Sequence, residues 1–397
     1  MAHPVPPLRQ SAEMSGHRSE ELVIVGGGLA GASAACVLAR EGLSALLLER
    51  DPEPRHKVCG EFLSIEAQAY LGHLGIDLDR LDASRISRLR LHHRGKQAEA
   101  PLPFTARGLS RKILDDALLG KAMSLGARVE RGVTVRSIDT DETGSRVDAG
   151  PYGMIRAETL FLASGKHDVR GVKRPTAGSI NDLIGFKMHY RLPEEQQAAL
   201  GGVIEIILFE EGYAGLQLVE GGIVNLCLVV THKRFEQVGR SWNSLIEQIT
   251  RECPSVADRL RGALPLFDKP LSIFQIPYGF IHHPHPPEPP GLFRLGDQMG
   301  VIPSFTGEGM SMALHSGYLA ASTLLRHGRV GATFHQQMAS DIQRQVRLAF
   351  VLNKAARFRP GQTMLFHLCR SWPALMREVA AFTRLRERSL QRALALP

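Results

Sequence analysis

The stretch Leu22-Val23-Ile24-Val25-Gly26-Gly27-Gly28-Leu29-Ala30-Gly31, continuing to Arg40, decides the fold. A short apolar run leading into G-x-G-x-x-G reads as a buried parallel strand that turns sharply into a helix. Gly26 permits the turn, Gly28 lets backbone approach a pyrophosphate, and Gly31 lets the next helix sit close on the strand. The spacing predicts that helix from Ala30 to Arg40, rich in the small residues Ala32, Ser33, Ala34, Ala35 and Ala39. Its first turn, beginning around Leu29 and Ala30, offers free N–H groups and a dipole that attract a diphosphate. Gly42 ends the helix and Ala45-Leu46-Leu47-Leu48 reads as a second strand. Glu49 stands 18 residues after Gly31, near the spacing of an acid that binds ribose hydroxyls, with Arg50 beside it. A carboxylate there repels a 2′-phosphate, which disfavours NADP. A lone glycine motif is weak, but strand, helix, strand and acid in register are specific.

A second signature stands far downstream. Leu292-Phe293-Arg294-Leu295 runs into Gly296-Asp297, and Pro303-Ser304-Phe305-Thr306-Gly307-Glu308-Gly309 opens a helix expected over Glu308 to Leu325, with Met310 in its first turn. Gly307 and Gly309 have no side chains to obstruct a flat ring. The helix N-terminus would place partial positive charge at flavin N1 and O2 and stabilise a reduced, anionic flavin. Thr306 is the expected cap. Together the two signatures make FAD the expected cofactor, held at pyrophosphate, ribitol and ring.

With 397 residues and 44% hydrophobic content, the chain has material for two joined domains. No run approaches the roughly 18 apolar residues of a membrane span. Residues 1–19, with Pro4, Pro6 and Pro7, lack a signal-peptide core and read as a disordered tail, Met14 being an alternative start. Cys36, Cys59, Cys227, Cys253 and Cys369 lack metal-type spacing and fit reduced thiols in a cytoplasmic protein. From Asp341 onward eleven Lys/Arg face three Asp/Glu, so this stretch carries the whole net charge of +8. Leu365, Leu368, Trp372, Leu375, Met376, Val379 and Phe382 repeat there at helical spacing. The bland reading is a C-terminal helical pair with a solvated basic face; the sharper one is a peripheral membrane contact that delivers a lipid-like substrate. Nucleic-acid binding is not expected, because no nucleic-acid module accompanies the charge.

Arg111 to Leu125 reads as a helix stopped by Gly126. Short strands are expected next at Arg128–Glu130, Val133–Ile138, Arg146–Asp148, Met154–Ala157 and Thr159–Leu162. The β-rich segments Val203–Phe209, Gly215–Val219 and Ile223–Val230, with turns at Glu211-Gly212 and Gly221-Gly222, predict an antiparallel-sheet substrate domain. Arg85–Phe104 is expected to add strands to it, and Pro284 to Pro290 returns the chain to the first domain. The expected division is 20–84, 105–181 and 285–330 for the cofactor domain, 85–104 and 182–284 for the substrate domain, and 331–397 for C-terminal helices. Both domains are parts of one α/β fold.

This pattern resembles the p-hydroxybenzoate hydroxylase-like FAD enzymes, including aromatic hydroxylases, geranylgeranyl reductases and flavin-dependent halogenases. The resemblance covers about residues 20 to 330. It implies a Rossmann-like FAD-binding domain of the glutathione-reductase type. Gly26–Gly31 with Glu49 is similar to the adenosine-diphosphate site. Gly108-Leu109-Ser110-Arg111 resembles the arginine-led helix, which would set Arg111 against the cofactor. Gly296-Asp297 resembles the Gly-Asp motif whose Asp accepts from a ribitol hydroxyl, and Pro303–Gly309 the loop under the ring. After the strand ending at Leu162, Ala163-Ser164-Gly165 has Ser164 where NAD(P)H-using hydroxylases carry Asp. The electron donor is therefore open between NAD(P)H and a separate reductase protein. Trp242 and Trp372 are isolated, so the signature of tryptophan-type halogenases is missing.

Lys57-Val58-Cys59-Gly60-Glu61 is similar to the Lys-x-Cys-Gly segment of the reductases. Lys57 is expected to balance diphosphate or reduced-flavin charge, and Cys59 either faces the flavin or packs as a small hydrophobe. Glu61 is a candidate acid or base. Tyr213-Ala214-Gly215 is similar to the aromatic substrate-contact motif of those reductases, without their fuller aromatic pattern, and Tyr213 either lines a pocket or packs on the sheet. His282, His283 and His285 read as a solvated loop and no metal is expected. The resemblance implies hydroxylation of an aromatic or apolar, polyketide- or lipid-like molecule by oxygen activated at the flavin. Reduction of an isoprenoid double bond, halogenation, and a non-catalytic FAD-binding protein at a membrane are the alternatives.

Overall fold

The apolar run of the opening motif forms the strand Arg18–Val25, in the interior of a seven-stranded sheet. The computed structural model describes residues 18–176, 178–283 and 288–395. The expected tail thus lies outside the described residues up to position 17, while Arg18 and Ser19 already belong to the strand. Residues 284–287 of the proline-rich return, with His285, also lie outside the described residues.

Arg18–Val25 pairs in parallel with Leu46–Glu49 on one side and Met154–Leu162 on the other. The two strands expected between Met154 and Leu162 are one. Its first half pairs antiparallel with Gly144–Asp148 and its second half parallel with Leu292–Arg294. Val133–Arg136 is not strand, because its donors serve separate neighbours: Val133 N–H donates to Glu49 O and Arg136 N–H to Asp148 O. Strand begins only at Ser137–Asp141. Val25, Glu49, Leu162 and Arg294 end their strands at the same edge, the edge where parallel α/β sheets bind ligands.

Three helices cover this edge from one face. Leu29–Arg40 packs between Arg111–Ser124 and Gly309–His327. Small residues set the spacing: a Cβ on Gly317 would lie 2.3 Å from Ser33 Oγ and 2.4 Å from Ala30 O. The cap of Gly309–His327 is Glu308, not Thr306. Thr306 Oγ donates to Pro303 O and accepts from Glu308 N–H only at 3.4 Å, so it braces the loop instead.

The second sheet has nine strands. Leu183–Arg191, Val224–Thr231, Gly212–Leu218 and Gly202–Phe209 form its antiparallel centre. Ser84–His93 and the long Lys96–Gly108 extend it, so the contribution expected of Arg85–Phe104 runs on to Gly108. The sheet is not purely antiparallel. Gly202–Phe209 lies parallel to Ser84–His93, because a long excursion through the first sheet joins them, not a hairpin. Among the described residues the C-terminal region holds four helices rather than a pair: Gly331–Ala356, Arg359–Ser371, Pro373–Phe382 and Glu387–Leu394. The middle two lie against Lys96–Gly108. Arg384 anchors the chain just before the last helix, pairing with Glu66 while its guanidinium sits 3.7 Å from the Phe104 ring centre.

Gly317→Val should cost about 1–3 kcal/mol in urea unfolding, since the helices must separate to admit it. Gly120→Ala, on an open helical surface with nothing within 4 Å of the new Cβ, should gain about 0.5–1 kcal/mol.

Candidate cofactor and substrate site

The pyrophosphate turn is built by its own glycines. Gly26 takes φ +106°, and a Cβ there would lie 2.4 Å from Ala163 O. Glu49 is buried beneath the turn. Its Oε2 accepts from Gly27 N–H at 2.6 Å and its Oε1 from Asp51 N–H at 2.9 Å. Above Gly28 the nearest atom to a Cβ is Arg111 Nη2 at 3.5 Å, so the arginine stands over the backbone of the glycine turn. Asp115 holds Arg111 through two hydrogen bonds of 2.7 and 2.9 Å. Lys57 donates to the same carboxylate at 2.9 Å and borders the small cleft of Gly27, Glu49 and Arg131. Through Asp115 it is tied to Arg111, next to the glycine turn. Arg50 is exposed and, among the described residues, pairs with Asp51 at 3.4 Å.

Gly296 follows the strand Leu292–Arg294 with one residue between, at φ +59°, where a Cβ would come within 3.2 Å of Ala30 Cβ. That contact sets Asp297 beside the first turn of Leu29–Arg40. Gly28, Leu29, Ala30, Arg111, Gly165 and Asp297 line one continuous cavity of about 420 Å³, and Pro303's loop supplies Gly307, Gly309 and Met310 to the same wall. Gly307 is at φ +73° and a Cβ would strike the Phe62 ring at 2.5 Å. Ser164 is not part of this wall; its hydroxyl donates to His167 O at 2.7 Å, inside its own loop. Its neighbour Lys166, given no role from the sequence, lines the cavity with Nζ 3.9 Å from Asp297. Burial works against its charge, but Asp297, together with Cys59 and Tyr278, raises its pKa.

Cys59, Glu61 and Tyr213 all border the cavity. Glu61 is no free acid or base. It is fully buried at φ +59°, its Oε1 takes Lys187 Nζ and Arg111 N–H, and its Oε2 lies 2.9 Å from His189 Nε2. Burial pushes its carboxyl up, yet Lys187 and then His189 bring it below the usual range. Cys59 Sγ accepts from Glu61 N–H at 3.4 Å. Tyr213 is buried, with Oη 2.5 Å from Ser304 Oγ, and Tyr278 donates to the same Ser304 oxygen at 2.7 Å. Sequence reasoning missed Lys187, His189 and Tyr278. The available signal was Phe186-Lys187-Met188-His189-Tyr190, a strand alternating large apolar with ionisable residues. His282 is also not solvated: it is buried with Nε2 3.0 Å from Glu288 Oε2. Two His–Glu groupings, His56/Glu61/His189 and His282/Glu288/His335, come together among the described residues, but Lys187 and Arg294 already pair with their carboxylates.

Residues 20–158 match the family model described as FAD binding domain. Flavin-dependent halogenase armH3 of Armillaria mellea is 25% identical over 362 residues, 81% of this chain and 70% of that protein. Menaquinone reductase of Mycolicibacterium smegmatis is 34% identical, over only 32% of each chain. Among solved structures, flavin-dependent brominase Bmp2 superposes with a TM-score of 0.73 at 18% identity, over 92% of this chain and 93% of that one.

Two measurements probe the site. Asp297→Ala should weaken FAD binding about tenfold or more in a flavin fluorescence titration, the worth of a charge-assisted hydrogen bond. Glu61→Gln should cost about 3–5 kcal/mol at neutral pH, because Lys187 is left buried without its partner. The folded carboxyl sits below its ordinary value of 4.5, so its contribution is present above that pH and lost as pH falls through the folded value. The variant's unfolding free energy should therefore lose that part of the acid limb. The glycine cradle, the acid beneath it and the cavity that runs from Gly28 to Gly307 fit FAD, and FAD is the cofactor. The chain is a flavoprotein with the fold of the p-hydroxybenzoate hydroxylase-like oxidoreductases.

Proposed function

We propose that this protein is an FAD-dependent monooxygenase that hydroxylates an aromatic or apolar, polyketide- or lipid-like small molecule. The observation that carries the reading is the cavity itself. Beyond Asp297 and Gly307 it continues under the second sheet, between Leu91, Leu102 and Ile206 on one side and Leu375, Met376 and Val379 on the other. A chamber so lined binds by excluding water from apolar surface, with few polar groups to set orientation. Bound, reduced FAD supplies oxygen activation and the chain supplies placement. Tyr213, Tyr278 and Ser304 are polar groups that converge on the cavity wall. Burial pushes both phenols up, so they stay protonated and orient a substrate hydroxyl or carbonyl by hydrogen bonding. Glu61, held by Lys187 and His189, fixes the Cys59–Phe62 segment and takes no part as a base.

Halogenation is the second reading, favoured because the likeness to a halogenase runs through both sheets while that to menaquinone reductase spans only a third of the chain. Reduced, FAD-loaded enzyme should be mixed with a panel of alkylphenols and isoprenoids, under air or argon, with or without bromide. Hydroxylation predicts oxygen uptake that depends on substrate and a product heavier by one oxygen atom, by mass spectrometry, irrespective of bromide. A brominated product would replace hydroxylation with halogenation. Saturation of a double bond under argon would overturn both.

A further inference from the structure

The helix Arg359–Ser371 is apolar on two faces, where a surface helix needs only one. Leu365 and Cys369 line the cavity and Phe366 is buried, whereas Met364 and Leu368 stand out into water one turn apart. Trp372 caps the helix at 61% exposure and Phe358 precedes it at 68%. Val351, near the end of the preceding helix, and Phe382, at the end of the succeeding one, are exposed as well. Cations are interleaved with these side chains. Arg370 lies between Leu368 and Trp372, Arg377 comes after Trp372, and Arg347 and Lys354 flank Val351; all four are exposed. By contrast, Arg357 and Arg359 pair with Asp182 and Glu210. Glu378 is the single carboxylate within Arg347–Phe382.

We propose that this face docks on an anionic lipid bilayer and that the cavity beneath it takes substrate from the membrane. Exposed Phe, Met, Leu and Trp side chains rimmed by Arg and Lys that pair with no carboxylate among the described residues match the acyl boundary and headgroup layer of such a surface. Trp372 is suited to the level between them. A symmetric dimer through the same face would set these cations against their own copies, which disfavours a second chain as the occupant. No helix among the described residues is long and apolar enough to cross a membrane, so the contact is peripheral. The route taken by substrate rests on the apolar-substrate reading above, but the docking itself does not. It is measured by binding, so it can fail while that reading stands.

The test uses the full chain loaded with FAD and vesicles of phosphatidylcholine, alone or mixed with phosphatidylglycerol. Flotation should recover the protein with the mixed vesicles and not with phosphatidylcholine alone. In a Trp242→Phe background, Trp372 emission should shift to the blue and lose quenching by iodide when mixed vesicles are added. Arg370→Gln and Arg377→Gln should each weaken partitioning roughly fivefold. Leu368→Ser with Trp372→Ser should abolish it while leaving FAD content and the unfolding midpoint unchanged, since both side chains are exposed. Absence of flotation, equal binding to both vesicle types, or an unshifted Trp372 would overturn the proposal. So would sedimentation velocity showing a dimer that the Leu368/Trp372 variant dissociates, because the face would then belong to a second copy.

Discussion

The site depends on how closely two helices approach each other. Leu29–Arg40 comes straight after the first glycine turn and Gly309–His327 straight after the last one. They touch backbone to backbone where Gly317 meets Ala30 and Ser33. A side chain of ordinary size at that crossing would move Gly296 off Ala30 and Asp297 away from the pyrophosphate turn. A cofactor that must be held at both ends tolerates little of this. The small residues of the first helix thus set a distance between parts of the chain some 265 residues apart, and the cavity inherits its length from that distance.

A second constraint joins the sheets. The Cys59–Phe62 segment runs between them, and Glu61 at its centre ties Arg111 N–H of the first domain to Lys187 and His189 of the second sheet. Gln217 Nε2 and Leu109 N–H donate to the Glu61 carbonyl as well. Charges buried so deeply add little net stability, because desolvation offsets their attraction. Their consequence is geometric: the segment that lines the cavity has one position and one backbone conformation. A left-handed non-glycine residue here is strain retained at a site, as the surrounding bonds over-determine it.

The cofactor half is legible in the sequence because its chemistry is local. Gly26, Gly28, Glu49, Gly296, Asp297 and Gly307 each answer to a turn, a dipole or a flat ring, and those needs are written within a few residues. Glu61 can be noticed but not understood there, since its partners lie 126 and 128 residues away on one strand. Lys187 and His189 have the spacing of the wet face of a half-exposed sheet; both faces are in fact covered, one by the domain core and the other by the Cys59–Phe62 segment. Tyr278 and Ser304 reach Tyr213 across three separate stretches of chain, which no spacing announces. That Lys57 pairs with Asp115, 58 residues further on, is likewise not written in its neighbours. The parallel pairing of Gly202–Phe209 is hidden for the same reason: register between distant strands is a tertiary fact.

The central claim is that one flavin occupies the whole crevice, and a crystal structure of the FAD complex tests it most directly. Adenosine ribose should lie on Glu49, diphosphate over Gly28 beside Arg111, ribitol on Asp297 and the ring along Gly307 to Met310. The chamber under the second sheet would be left free for substrate. Density for FAD that ends short of Asp297, or a ring lying outside the loop of Pro303, would contradict it.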